Sequence, residues 1–156
     1  MSALLPSTPL IRPAETADLK ILTNLENLSF NSPWSRLALA RELENPASLV
    51  LLLQIDPDEL PVAYLCARLI PPEAELLRIA VAPASRRQNL GRCLLRHLFS
   101  MLKQQEITEL FLEVAETNLP ALDFYRQFDF IQTARRPGYY DQGKTAALIL
   151  VCHLFS

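Results

Sequence analysis

The chain has 156 residues, 50% of them hydrophobic and 21% charged, with a formal net charge of −2. This length and composition predict one domain over residues 1–156 with a real core, and they exclude a disordered chain. The near-neutral charge excludes a nucleic-acid binder driven by bulk electrostatics, and the apolar runs are far too short to span a membrane.

Residues 8–12 (TPLIR) are predicted as a short strand, and residues 16–28 as a helix with Leu19, Leu22, Leu25 and Leu28 at i, i+3 spacing. Asn31-Ser32-Pro33-Trp34 breaks that helix, Ser35 can cap a second one to about Glu44, and Asn45-Pro46 ends it. The strands 48–55 and 61–70, joined through Asp56-Pro57-Asp58, read as an antiparallel hairpin. After Pro71-Pro72 comes a strand over 73–81 (EAELLRIAV), then a turn carrying Arg86, Arg87 and Arg92. Leu90, Leu94, Leu95, Leu98, Phe99 and Leu102 then recur with helical spacing to about Gln104. ELFLEVA (109–115) is a strand, and Asn118 can cap a helix from Leu119 to Phe128. Strands 130–135 and 145–154 close the chain, with Pro137-Gly138 expected to turn between them. This order predicts an α/β (α+β) fold, a mixed sheet with helices on both faces. The β-α-β unit of 74–114 should be parallel and right-handed, with a ligand at the carboxyl ends of its strands.

The strand, basic turn and helix around residues 79–92 form a candidate phosphate grip, because a helix N-terminus exposes unpaired N–H groups and partial positive charge. A plain linker with solvated arginines has the same sequence pattern. Only three glycines stand against twelve prolines, so turns must draw on Pro, Asn and Asp, and Asn tolerates φ > 0 better than other residues with a Cβ. Glu113 interrupts an apolar strand, sharing a face with Phe111 while Leu110, Leu112 and Val114 share the other. A buried carboxylate has a raised pKa and suits deprotonation of an ammonium; the alternative is a strand-end Glu in solvent or paired with an arginine. Tyr125 can be a proton donor or simply core. Trp34 can wall a peptide site or anchor its loop, and Tyr139 and Tyr140, being adjacent in a strand, cannot both point inward. Cys66, Cys93 and Cys152 are odd in number, widely spaced and set among apolar neighbours, which points to a reducing, cytoplasmic compartment. With His97 and His153 scattered, no metal-ligand spacing is present and no metal is expected. MSALLPSTPLIRPAE lacks the charged lead and long apolar core of a signal peptide.

RRQNLG (86–91) resembles the [QR]-x-x-G-x-[GA] signature of the GNAT acetyltransferases, with Asn89 where the first glycine stands. LEVAETNLPALDFYRQFDF (112–130) resembles the L-E-V-R-x-S-N-x-x-A-x-x-L-Y-x-x-x-G-F stretch of RimI-like ribosomal-protein alanine N-acetyltransferases. SPWS (32–35) is similar to their P-W-S loop, EAELLRIAV to their E-A-x-L-x-x-I-A-V strand, and RRPGYY (135–140) to their R-R-x-Y-Y segment. Ala115, Thr117 and Asp129 depart from the usual Arg, Ser and Gly, and Lys144-Thr145 from an acidic pair. A residue other than glycine at 129 implies a strained turn.

The resemblance covers essentially the whole chain and implies the GNAT fold, a mostly antiparallel mixed sheet with a central parallel β-α-β coenzyme site. It implies acetyl-CoA as co-substrate, held by Ile79, Ala80 and Val81, by Arg87, Gln88, Asn89, Leu90, Gly91 and Arg92, and by Asn118. It implies Glu113 as proton acceptor and Tyr125 as proton donor, with Trp34, Tyr139 and Tyr140 lining the acceptor entrance. The implied acceptor is the N-terminal alanine of a small-subunit ribosomal protein, with no nucleic acid or membrane partner. Two alternatives stand beside it: a GNAT enzyme acting on lysine or a small amine, and a non-catalytic acyl-CoA-binding module, the reading favoured by Asn89 in place of glycine.

Overall fold

In the computed structural model, which describes residues 8–155, seven strands and four α-helices alternate much as their sequence signals require. They are β1 (Leu10–Pro13), α1 (Leu19–Ser29), α2 (Arg36–Glu44), β2 (Ser48–Gln54), β3 (Ala63–Ile70), β4 (Glu73–Val81), α3 (Leu90–Gln104), β5 (Glu109–Ala115), α4 (Leu119–Arg126), β6 (Ile131–Tyr140) and β7 (Thr145–His153). The strands lie in one mixed sheet, in the order β1-β2-β3-β4-β5-β7-β6. The chain divides into two compact units, one built from residues up to Ala67 with Arg78–Ser100, the other from Arg68–Leu77 with residues from Met101 onward. Of the N-terminal segment examined for a signal peptide, residues 1–7 lie outside the described residues. Among the described residues no helix is long and apolar enough to cross a membrane.

In the first unit β1 pairs antiparallel with β2, from Leu10–Gln54 to Pro13–Leu51. Ser35 caps α2 by accepting from the Ala38 N–H at 3.1 Å, the role its position predicts. The core is formed by Leu51, Leu52 and Leu53 of β2, Ala63–Ala67 of β3, and Leu94, Leu95 and Leu98 of α3. The α1 stripe is a correction. Leu22 and Leu25 are buried, but Leu28 is 61% exposed, and the fully buried Glu26 takes the next inward place. Strict i, i+3 spacing drifts around a helix of 3.6 residues per turn, so the inward stripe passes through i+4 at residue 26.

In the second unit β4 and β5 run parallel, Glu73–Glu75 against Glu109–Phe111, as the β-α-β pattern predicts. β7 lies between β5 and β6 and is antiparallel to both. Along β5 Leu110, Leu112 and Val114 are buried while Phe111 and Glu113 are half-buried, so the period of two holds. Pro137-Gly138 is the second correction: it lies inside β6, and the chain reverses later, at Asp141–Gly143. The pairing register shifts between Arg136 and Tyr140, and Gly138 sits at φ +69°. Edge strands tolerate a proline and a glycine bulge because a missing N–H need not break a ladder bond. The reversal itself uses Gln142 at φ 56° and Gly143 at φ 91°.

Candidate active site

The first unit contributes the basic turn. β4 ends at Val81, and Pro83–Ser85 makes one tight turn before Arg86. Arg86 donates from Nε to the Val81 carbonyl at 3.0 Å, tying the turn back onto the strand. Arg87 and Asn89 both have left-handed backbones, at φ 66° and 61°. Such alternation gathers successive N–H groups into an anion-binding nest. Leu90 is buried and fixes the helix, while Arg87, Gln88 and Asn89 stay exposed. The first intrahelical bond runs from the Cys93 N–H to the Asn89 carbonyl at 3.1 Å, so the N–H groups of Leu90, Gly91 and Arg92 precede the helix ladder. On β4, Ala80 is buried while Ile79 and Val81 are half-buried. The left-handed backbone at 89 accounts for the glycine that the GNAT signature carries there. Asn is the residue type with a Cβ that reaches this region at least cost. If this turn holds the coenzyme that the resemblance implies, Asn89→Gly is expected to keep or improve coenzyme affinity, and Asn89→Val to weaken it by about tenfold, since a β-branched residue there costs ~1–2 kcal/mol. Titration calorimetry with acetyl-CoA checks this; a tolerated valine would remove the turn from the grip.

Trp34 also belongs to the first unit. Its backbone N–H donates to Glu26 Oε2 at 2.8 Å, and its half-buried ring has the Arg78 guanidinium 4.8 Å from its centroid. Glu26 also accepts the hydroxyl of Tyr64 and lies 3.1 Å from Arg78 Nε. Burial, and then the hydrogen bond to Glu26, hold the Tyr64 phenol above its ordinary value. A buried carboxylate survives because it is paired and bonded on several sides. These contacts anchor the Trp34 loop and leave its ring half-buried.

The second unit carries Glu113, Tyr125, Asn118 and the two late tyrosines. Glu113 opposes Ile149 on β7, and Arg136 on β6 opposes Ala147. Both face the same side of the sheet, and Arg136 Nη1 meets Glu113 Oε1 at 3.0 Å across β7. The Arg136 guanidinium also lies 4.4 Å from the centroid of the Tyr139 ring. Tyr139 and Tyr140 meet edge to face at 4.8 Å, Tyr139 47% exposed and Tyr140 half-buried. The bulge at Gly138 lets two adjacent residues keep their rings together, which a regular pleat forbids. Glu113, Arg136, Tyr139 and Tyr140 therefore form one chain of contacts. Glu75 is a further neighbour that sequence reasoning did not single out. It pairs in register with Phe111, one pleat before Glu113 and on its face. Burial first, then the Glu113 charge, raise the Glu75 carboxyl above its ordinary value, and Arg68 opposes them.

Asn118 caps α4, accepting from the Ala121 N–H at 3.3 Å, and is otherwise exposed. Tyr125 is buried, and its ring meets Phe124 and Phe130 edge to face at 5.3 and 5.4 Å. Burial raises its phenol above the ordinary tyrosine value, so at neutral pH it holds its proton. Asp129, at the usual glycine position, has φ 64°, the strain that the substitution implies. Glu26, Tyr64 and Arg78 went unnoticed in the sequence because they are 38 and 52 residues apart along the chain.

A model of the acetyltransferase (GNAT) family matches residues 19–130. The [ribosomal protein bS18]-alanine N-acetyltransferase of Escherichia coli K12 is 32% identical over 138 residues, 87% of this chain and 91% of that protein. A putative enzyme of the same name from Bacillus subtilis is 30% identical over 141 residues, 90% of this chain and 92% of its own. The crystal structure of the ribosomal-protein-S18-alanine N-acetyltransferase from Escherichia coli superposes with a TM-score of 0.87 at 29% identity, covering 96% of each chain.

Proposed function

We propose that this chain, which belongs to the GNAT acetyltransferase family, uses acetyl-CoA to acetylate the N-terminal alanine of a small-subunit ribosomal protein. The observation that carries the reading is the 32% identity with the Escherichia coli bS18-alanine enzyme over 87% of the chain. The nest at residues 87–92 fits a pyrophosphate, and Ile79-Ala80-Val81, the last residues of β4, suit a pantetheine arm lying alongside as an extra strand. Asn118 would contact the coenzyme with the part of its amide not used as a cap.

In the reaction Glu113 takes a proton from the acceptor ammonium, directly or through water. The free amine attacks the thioester carbonyl, a C–N bond forms, the C–S bond breaks, and the departing sulfur receives the proton of Tyr125. A backbone N–H near Val81 would polarise the carbonyl. Trp34, Tyr139 and Tyr140 would wall the acceptor's first residue, which favours a small side chain because a larger one must displace packed rings. Three free cysteines, two of them buried, suit the reducing cytoplasm where ribosomal proteins are made.

The test is mass spectrometry on peptides that differ only in their first residue, together with a lysine peptide blocked at its N-terminus. Alanine is expected to be acetylated well ahead of leucine, and the blocked peptide hardly at all. Equal acetylation of the blocked peptide would move the acceptor to lysine while leaving acetyl transfer in place.

A further inference from the structure

The loop between α1 and α2, Phe30–Ser35, is held by one side chain from β4. The Arg78 guanidinium carbon lies 4.0 Å from the Phe30 ring centroid and 4.8 Å from that of Trp34. Its Nη2 donates to the Ser32 carbonyl at 3.2 Å. The same guanidinium is fixed from below by Glu26, with Nε 3.1 Å from Oε1 and Nη2 3.4 Å from Oε2. Glu26 is fully buried in α1 and itself accepts the Trp34 N–H. One cation thus touches residues 30, 32 and 34 of the loop and is braced by a carboxylate that cannot move without unpacking the helix.

We infer that Arg78 is a positioning residue that sets acceptor affinity by presenting the Trp34 ring ready-placed. This rests on the reading of Trp34 as a wall of the acceptor site. A planar guanidinium can lie against two rings while it bonds a carbonyl and a carboxylate; an ammonium keeps the charge but not the stacking. Without that stacking the acceptor must order the loop as it binds, and the ordering entropy is taken from its affinity. Such a loss is uniform between ground state and transition state, so it raises the acceptor KM and leaves kcat alone.

Trp34 is the only tryptophan in the chain, so its fluorescence reports on the loop without any catalysis. Arg78→Lys keeps a cation beside Glu26 and preserves the fold. Arg78→Met combined with Glu26→Gln removes both charges, so that neither is left buried and unpaired. In each variant acrylamide should quench Trp34 at least about twofold more effectively, and the acceptor-peptide KM should rise about tenfold, more in the double variant. The kcat and the acetyl-CoA KM should stay within about twofold. An alanine peptide acetylated with an unchanged acceptor KM in both variants overturns the inference, whatever the quenching shows. So does unchanged quenching. If the wild-type protein acetylates no N-terminal peptide but does acetylate lysine, the acceptor reading falls separately, and the same KM comparison on the lysine peptide then judges Arg78.

Discussion

Glu113→Gln is expected to lower turnover by about 10²- to 10⁴-fold, the usual weight of a positioned general base, with acetyl-CoA binding intact. The amide keeps the shape of the side chain and can still accept from Arg136, which meets Glu113 at 3.0 Å. The pair is half exposed, so its loss costs little stability. The acidic limb of the rate profile carries a second signature. As pH falls, carboxylates bind protons and the base is lost. In the wild type Glu75 is held above its ordinary value by burial and by the Glu113 charge. With glutamine at 113 that charge is gone, Glu75 moves back down, and the residual rate should persist to lower pH than the wild-type limb. A wild-type rate in this variant would return Glu113 to the role of a strand-end carboxylate paired with arginine. Stopped assays across pH 5–9 with a saturating peptide give both readings.

Tyr125→Phe is the second large effect, expected at about 10²-fold in turnover, the lower end of general-acid catalysis. Phenylalanine keeps the edge-to-face contacts with Phe124 and Phe130, so the core and thermal midpoint should hardly change. The modest size follows from burial, which raises the phenol above its ordinary value. Such a phenol is a weaker acid than the thiol it serves, so it yields its proton only as the sulfur leaves. The penalty should therefore shrink when the leaving thiol is more acidic. Acetyl thioesters of an aryl thiol and of an alkyl thiol, compared in wild type and variant, test this. A penalty independent of the leaving group would leave Tyr125 as packing alone.

Local signals in the sequence located elements well where chemistry is local. Ser35 and Asn118 marked the starts of α2 and α4, Asn45-Pro46 the end of α2, and Pro71-Pro72 the start of β4, because caps and breakers act through their own backbone; the end of α4, expected at Phe128, falls at Arg126. Asn89 was legible as a residue able to turn left-handed; its neighbour Arg87, equally left-handed, was not, since arginine has no special liking for that region. Pro137-Gly138 misled because it is a strong turn signal everywhere except at a bulged sheet edge. The contacts that join Glu113 to Arg136 and Tyr139, and Glu26 to Tyr64 and Arg78, depend on which strands become neighbours. No periodicity in a single segment encodes that choice.

The position of β7 has a consequence for how the protein is made. β7 follows β5 and β6 in the chain but lies between them in the sheet, and among the described residues β6 has no other strand neighbour. A nascent chain emerges amino end first. Glu113 and Arg136 therefore leave the ribosome well before the strand that brings them together, and their ion pair waits for Thr145–His153. Shortening the chain through β1 would strip an edge strand that, among the described residues, pairs with β2 alone. Stopping translation ahead of Thr145 would leave β5 and β6 without the partner they share. Premature stop codons ahead of Thr145 should thus behave as full losses of function.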